Sequence, residues 1–204
     1  LQTGEIENVS LAHDGGFGND SSFYAVISGD GSKVAFVSYA TNLISGDVSS
    51  LQNLFIRDTE TGDIERVDAT TSGGESATGV DFGFCSLDFA GRYVAFASRQ
   101  TDIVDVPVGV FSQAYVRDTE SDETTVVSRT YDANPANDQC YRPSISPDGR
   151  WVSFISNATN LLEEDTNGQH DVFLRDMESN TIELLSLNET GEQLDRAVSE
   201  QVLA

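Results

Sequence analysis

Residues 165–171 carry the side chains in this sequence that best suit metal binding. The segment reads Asp-Thr-Asn-Gly-Gln-His-Asp, with the oxygen-bearing residues Asp165, Asn167 and Asp171 at its first, third and seventh positions. Such oxygens at this spacing, with a glycine to turn the chain, resemble part of a calcium loop. The glutamate that completes an EF-hand is missing, and no helical pattern flanks the segment. Two interpretations stay open: a calcium site, or a solvated turn built from the same residue types.

Earlier parts of the chain contain weaker versions of this segment. Asp47 is followed by Ser49 and Asn53 at equivalent offsets, whereas Asp105 has little near it. His170 lies inside the segment, but a single histidine does not indicate a transition-metal site. Calcium is thus the cofactor that the sequence suggests.

Nucleophilic and acid–base catalysis find little support in the residue types. The chain has two histidines, His13 and His170, and no Gly-x-Ser-x-Gly nucleophile elbow lies near them. The 34 acidic residues offer many carboxylate pairs for glycoside cleavage, but no spacing selects one pair. The sequence therefore favours a binding protein over an enzyme.

The two cysteines, Cys85 and Cys140, lie at the start of neighbouring repeats. They suit either one disulfide, which would indicate an oxidising compartment, or two thiols packed as small apolar residues.

Three long segments of the chain repeat one another and must position all of these side chains. Glycines recur at Gly31, Gly91 and Gly149, in steps of 60 and 58 residues. Arg-Asp pairs beginning at Arg57, Arg117 and Arg175 recur with the same steps. Because such pairs occur in every repeat, we interpret them as architecture rather than catalytic residues. Anchors that move together in this way indicate an internal repeat.

Each repeat reads as four short strands. A tight turn such as Asp30-Gly31 or Asp148-Gly149 leads into an apolar run, KVAFVS, YVAFAS or WVSFIS. An alternating strand, NLFIRD, QAYVRD or DVFLRD, follows after a loop, and a hairpin then leads to a last strand. Four antiparallel strands at a fixed period are typical of a β-propeller blade. We therefore predict an all-β fold.

The string SPDGRWVSFISNATNL…DTNGQHDVFLRD in the third repeat resembles the TolB-type β-propeller repeat, a distant relative of the tryptophan–aspartate repeats. The Ser-Pro-Asp-Gly-Arg turn before an aromatic-valine strand carries the resemblance. Repeat one has Gly-Asp-Gly-Ser at this turn and repeat two has Phe-Ala-Gly-Arg, which are looser matches. The resemblance implies a propeller fold without implying one activity, because a fold hosts many functions.

Residues 1–204 are interpreted as one propeller domain. An extra outer strand is expected at 5–10, three complete blades at about 24–69, 84–129 and 142–187, and a tail at 188–204, since residues 3–10 match the last strand of a blade. Three blades cannot close a ring of the usual four to eight. Either the sequence is part of a longer propeller, or the chain closes by oligomerising through its blade edges.

Loop aromatics that lead into the first strand of each repeat form the predicted binding face. In a propeller these connections approach the central channel. The residues of this predicted face are Phe23, Tyr24, Phe82, Phe84 and Tyr141.

Composition limits the partners and the location. A formal net charge of −23 argues against nucleic acid, because phosphate contacts need Lys and Arg. No apolar run approaches the ~20 residues of a membrane span. The sequence begins at Leu1 rather than Met, so we expect a processed extracellular or periplasmic chain. We expect a non-catalytic scaffold that binds a protein or ligand, with or without self-association. The alternative is a propeller domain of a larger peptidase-like or polysaccharide-acting enzyme.

Overall fold

The structure is a computed structural model that describes residues 6–47, 50–163 and 165–194. Within these ranges the chain forms three four-stranded antiparallel sheets and no helix. Blade 1 contains β1 (Ser22–Ile27), β2 (Lys33–Ser38), β3 (Asn53–Asp58) and β4 (Ile64–Arg66). Blade 2 contains β5 (Val80–Leu87), β6 (Tyr93–Ser98), β7 (Gln113–Asp118) and β8 (Glu123–Val126). Blade 3 contains β9 (Cys140–Ile145), β10 (Trp151–Ser156), β11 (Asp171–Asp176) and β12 (Ile182–Leu184).

The strands of each blade follow chain order from the inner to the outer edge, as the repeat pattern predicts. The second and third strands of every blade are almost wholly buried. Core clusters cover them between neighbouring blades, and loop residues such as Leu43 cover the remaining face of blade 1. Stacked pairs of large rings fill these strands, as in Phe96 with Tyr115 at 5.6 Å. One core cluster lies between blades 1 and 2 and another between blades 2 and 3. The fold is therefore three blades of a β-propeller.

The first turns of successive blades lie directly against each other. Phe89 N–H donates to the carbonyl of Pro147 at 2.9 Å, and Asp30 N–H donates to the carbonyl of Phe89 at 3.0 Å. Gly149 adopts φ 74°, and a Cβ there would lie 2.6 Å from Cδ2 of Tyr93 in the preceding blade. Glycine is required at this turn both for the left-handed backbone and for the close approach.

Four homologous connectors join or flank the blades: connector 1 (6–20), connector 2 (67–79), connector 3 (127–139) and connector 4 (185–194). Connectors 1 and 3 bond to the blade that follows, since Asn19 and Asn137 exchange hydrogen bonds of 2.8–3.0 Å with repeat-equivalent loop residues. Connectors 2 and 3 also bond to the blade before them, through the 2.8 Å bonds from Val67 N–H to the carbonyl of Leu54 and from Val127 N–H to that of Ala114. Connector 2 reaches the following blade as well, since Thr71 N–H donates to the carbonyl of Asp102 at 3.0 Å. Each interior connector thus belongs to two blades.

The predicted outer strand at 5–10 is not formed over its described part, 6–10. A strand needs a hydrogen-bonding neighbour, and no described strand precedes these residues. Asn8 instead accepts bonds of 2.9 Å from the backbone and the hydroxyl of Ser10, which makes a local turn. Of the predicted tail, residues 195–204 lie outside the described part of the chain.

The recurring Arg-Asp pairs are architectural in geometry. Asp58, Asp118 and Asp176 each accept two backbone N–H bonds from the hairpin turn that follows. Arg175, 2% exposed, donates to the carbonyls of Val127 and Arg129 in connector 3. Its guanidinium therefore joins connector 3 to blade 3.

Cys85 and Cys140 are both unbridged. Burial raises the pKa of Cys85 to about 12 and that of Cys140 to about 11. Of the two interpretations left open by the sequence, the structure has packed thiols. No helix in the described ranges is long and apolar enough to cross a membrane.

Candidate functional site

The inner strand of every blade contains an irregularity in its register. Pairing with the second strand shifts between Phe23 and Val26 in β1, between Val80 and Cys85 in β5, and opposite Ser153 and Ile155 in β9. An extra residue in one strand bends it and redirects a side chain. Two bulky residues at these shifts have left-handed backbones, Tyr24 with φ 54° and Arg142 with φ 47°. Such strain persists only where the surrounding structure enforces it, and it is concentrated at functional sites.

Three side chains at equivalent repeat positions form a continuous row across the blades, here named the channel ladder: Tyr24, Phe84 and Arg142. Their positions differ by the repeat steps of 60 and 58 residues. The ring centroids of Tyr24 and Phe84 are 5.7 Å apart, and the Arg142 guanidinium lies 4.8 Å from the Phe84 centroid. The inner strands that carry the row contact one another, β1 with β5 and β5 with β9. The sheet geometry therefore brings one residue per blade into a single line.

Two further groups of rings contain a residue next to the ladder in the chain. Phe23 contacts Tyr24 edge-on at 5.0 Å and reaches Tyr39 at 5.6 Å. Beside Arg142 in the chain, Tyr141 stacks on His170 at 5.8 Å with an interplanar angle of 2°.

The ladder is open to solvent and carries an accessible cation. Tyr24 is 53% exposed and Phe84 is 42% exposed. Arg142 is also exposed, and among the described residues no carboxylate pairs with it. Clustered exposed rings on a protein surface mark interaction sites. The surface offers apolar contact together with one positive charge.

The predicted binding face is assembled in part. Phe23, Tyr24 and Phe84 come together, whereas Tyr141 stacks on His170. The side chain of Phe82 lies outside the described part of the structure. Sequence reasoning missed Arg142, although its register with positions 24 and 84 could have identified it.

The predicted calcium residues are only partly brought together. Asp165 and Asp171, 5% and 0% exposed, share one donor: Nε2 of Gln193, at 2.8 Å from Asp165 and 3.0 Å from Asp171. Asn167 is turned away, since its amide donates to the carbonyl of Leu194 at 2.8 Å and its oxygen accepts the Gln169 N–H. Burial raises the pKa of Asp165, and the Asp171 charge adds to this effect.

Gln193 is 22 or more residues from the carboxylates that it joins, so the loop spacing alone could not reveal it. Over the residues that the structure describes, no cluster of three or more His, Cys, Asp or Glu side chains is arranged to hold a metal. Any cation at this place therefore needs amide, hydroxyl, backbone or water oxygens besides the two carboxylates.

Comparison with known proteins gives structural likeness without sequence relatives. No protein-family model matches the chain, and no curated protein matches it. The structure of TolB from Acinetobacter baumannii superposes with a TM-score of 0.51 and 17% identity, over 85% of this chain and 34% of that one. The β-propeller domain of the Trilobed protease from Pyrococcus furiosus gives a TM-score of 0.49 and 12% identity, over 80% of this chain and 41% of that one. The tricorn protease gives a TM-score of 0.47 and 20% identity, over 84% of this chain and 13% of that one.

This chain thus spans about a third of the length of the TolB structure. At such low identity the likeness concerns the fold alone. Together with the three antiparallel four-stranded sheets, it shows that the chain forms three blades of a β-propeller.

Proposed function

We propose that this chain is a non-catalytic propeller scaffold, extracellular or periplasmic, that binds a segment of a partner protein on the channel ladder. The observation that carries the proposal is the row Tyr24, Phe84 and Arg142, one residue from each inner strand, with strained backbone at two of the three. A strained, exposed aromatic residue costs stability without adding to the core. Its retention is accounted for by contact with a ligand.

The ladder suits a peptide segment better than a sugar. Arg142 covers one face of Phe84, and the Tyr24 ring meets Phe84 at a tilt of 34°. These two contacts compete with a pyranose for the Phe84 ring. An irregular apolar surface beside a guanidinium instead fits an apolar side chain next to a carboxylate.

The charge of the whole chain restricts the charge that the partner segment can carry. A net charge of −23 attracts basic molecules over long range and repels acidic ones. Arg142 then supplies a local contact for a single carboxylate. The partner segment is therefore expected to be basic overall, with one apolar residue beside one carboxylate.

A peptide array tests this proposal with the intact chain. Hexapeptides carry one aromatic residue, flanking lysines and a free C-terminal carboxylate, and an identical set ends in an amide. We expect preferential binding of the carboxylate set, and a loss of about tenfold in affinity for Arg142→Gln, since a charge-assisted bond contributes roughly 1.5–3 kcal/mol. Tyr24→Ala should weaken both sets.

The matched control is Tyr131→Ala, which removes a ring that is 87% exposed in connector 3, away from the inner strands. Circular dichroism verifies that each variant is folded. Equal binding of both peptide sets, or equal loss with Tyr131→Ala, would contradict the ladder as the binding surface. If an acidic oligosaccharide binds the chain and none of the peptides does, the ligand of the ladder is a sugar and the peptide proposal is wrong.

Two other functions, a domain of a larger enzyme and self-association, give different results with the same variants. In a larger peptidase-like or polysaccharide-acting enzyme, the ladder variants would change substrate turnover by the full-length gene product. Self-association through the blade edges would appear as a defined oligomer of this chain in light scattering, above 22.0 kDa.

A further inference from the structure

One group of repeat-equivalent positions recurs around the third strand of each blade, and the three copies differ in charge. In blade 1 the repeat-equivalent positions hold Asp47, Asn53, Asp68 and Glu75, and the Arg66 guanidinium lies among the three acids. The nitrogen–oxygen distances are 3.5 Å to Asp47, 3.6 Å to Asp68 and 3.7 Å to Glu75. Arg66 and both aspartates are buried. In this blade the chain itself supplies the cation that buried carboxylates need.

The copy in blade 2 is uncharged. Pro107, Gln113, Ser128 and Pro135 occupy the four acidic or amide positions, and Val126 stands where blade 1 has Arg66. The Ser128 hydroxyl donates to Oε1 of Gln113 at 2.8 Å, so the polar atoms satisfy each other. Because this copy has no carboxylate, it has no negative charge for a cation to neutralise.

The copy in blade 3 has the acids without the cation. Asp165 and Asp171 occupy two of the positions, while Leu184 replaces the arginine. Both carboxylates are more than nine-tenths buried, and their shared donor is the neutral amide of Gln193. In the described part of the chain no Lys or Arg forms an ion pair with either one.

Oδ2 of Asp165 provides a second, independent observation. This atom is buried and has no hydrogen-bond partner. A buried carboxylate oxygen without a donor is costly, and buried charges in proteins are paired or bind metals. The spacing of the loop residues plays no part in this observation.

We propose that blade 3 binds a hard divalent cation, Ca²⁺, between Asp165 and Asp171. In blade 1 the counterpart of Asp165, Asp47, is paired instead with the Arg66 guanidinium. Oδ2 of Asp165 and a carboxylate oxygen of Asp171 are the charged ligands. The Gln193 oxygen accepts the backbone N–H of Thr166 at 3.0 Å, so the ion displaces the Gln193 Nε2 donor from the two carboxylates and water oxygens complete its coordination. Asn167 is not a ligand, because its amide is committed to connector 4 and to the loop backbone.

The affinity follows from the charge of the ligand set. Two carboxylates are fewer than in an EF-hand, so binding is expected in the 10⁻⁴–10⁻³ M range typical of extracellular modules. At about 5 mM calcium, tenfold above such a dissociation constant, the melting temperature should rise by about 3–5 °C.

The experiment compares melting with and without about 5 mM CaCl₂ at equal ionic strength, and counts bound ⁴⁵Ca²⁺ by equilibrium dialysis. The wild-type chain should bind one specific ion. Asp165→Asn and Asp171→Asn should each abolish the shift and the bound ion, and having two variants keeps the test valid if one misfolds. The matched control Asp47→Asn removes the equivalent charge in blade 1. It should keep both the calcium-dependent rise in melting temperature and the bound ion.

Arg66→Leu offers a test in the opposite direction. It leaves the carboxylates of blade 1 without their guanidinium, and a second bound ion is expected. The proposal is overturned if the wild type shows no shift and no bound ion. It is also overturned if the ion survives both aspartate variants, because binding would then belong to the acidic surface at large.

Discussion

Replacing Asp68 by serine should change how the stability of the chain depends on pH. Asp68 is fully buried; it accepts bonds of 3.1 Å from the backbone of Leu54 and from the amide of Gln100. Burial raises its pKa to about 6 against the favourable charge of Arg66. Serine is the matched substitution, because blades 2 and 3 carry Ser128 and Ser186 at this position.

The direction of this pH dependence follows from the number of protons that the folded and unfolded states bind. Between the ordinary pKa of 3.8 and the folded value of about 6, the folded state holds more protons than the unfolded state. The unfolding free energy of the wild type therefore falls as pH rises through this window. At about 1.4 kcal/mol per pH unit, the full effect is about 3 kcal/mol. About 2 kcal/mol of it lies between about pH 4.5 and about pH 7.5.

Urea unfolding at about four pH values across that window measures the effect, followed by circular dichroism and by the fluorescence of Trp151. The quantity compared is the wild-type minus Asp68→Ser unfolding free energy, in which other titrating groups cancel. Asp132→Asn, which removes a charge from an exposed turn, serves as the control and should show no such slope.

Two results would refute the reasoning. A difference that stays constant across the window would mean that Asp68 titrates alike in both states. A difference that grows with pH would mean that the pairing with Arg66 outweighs burial and that the folded pKa is depressed.

Three further outcomes are expected. Arg175→Met should lower the unfolding free energy by about 3 kcal/mol, because it leaves buried carbonyls of connector 3 without a donor; urea unfolding would contradict this if the loss were below about 1 kcal/mol. Arg142→Gly should raise the melting temperature by relieving φ 47° while weakening peptide binding, and a lower melting temperature would argue against backbone strain. Cys85 and Cys140 should resist a thiol reagent in the folded chain and both react after unfolding without reductant, whereas no reaction would indicate a disulfide.

The repeat and its strands could be predicted from the sequence because their causes are local. The turn at Asp148-Gly149 needs a glycine for its left-handed backbone, and the run beginning at Trp151 has the composition of a buried strand. The match at residues 3–10 predicted an outer strand at 5–10 that does not form over 6–10, since pattern alone does not supply the neighbour that a strand must pair with.

The candidate site was less accessible to prediction because it depends on distant residues. The loop aromatics Phe23, Tyr24 and Phe84 were identified from their place before the inner strands. The bulge that turns Arg142 into line with them is a property of how β9 pairs with β10. The amide of Gln193 reaches Asp165 from 28 residues away, so only the folded chain brings the two together.

The shared connectors also bear on how backbone amides should exchange with solvent. Connectors 2 and 3 are hydrogen-bonded to blade 2 or lead into it, so this blade has a bonded partner on both sides in the described structure. In a linear array that is stabilised by nearest-neighbour interfaces, an inner unit opens only together with a neighbour. Deuterium uptake should therefore be slowest in β6 and β7, and the outer blades should open first as separate cooperative units.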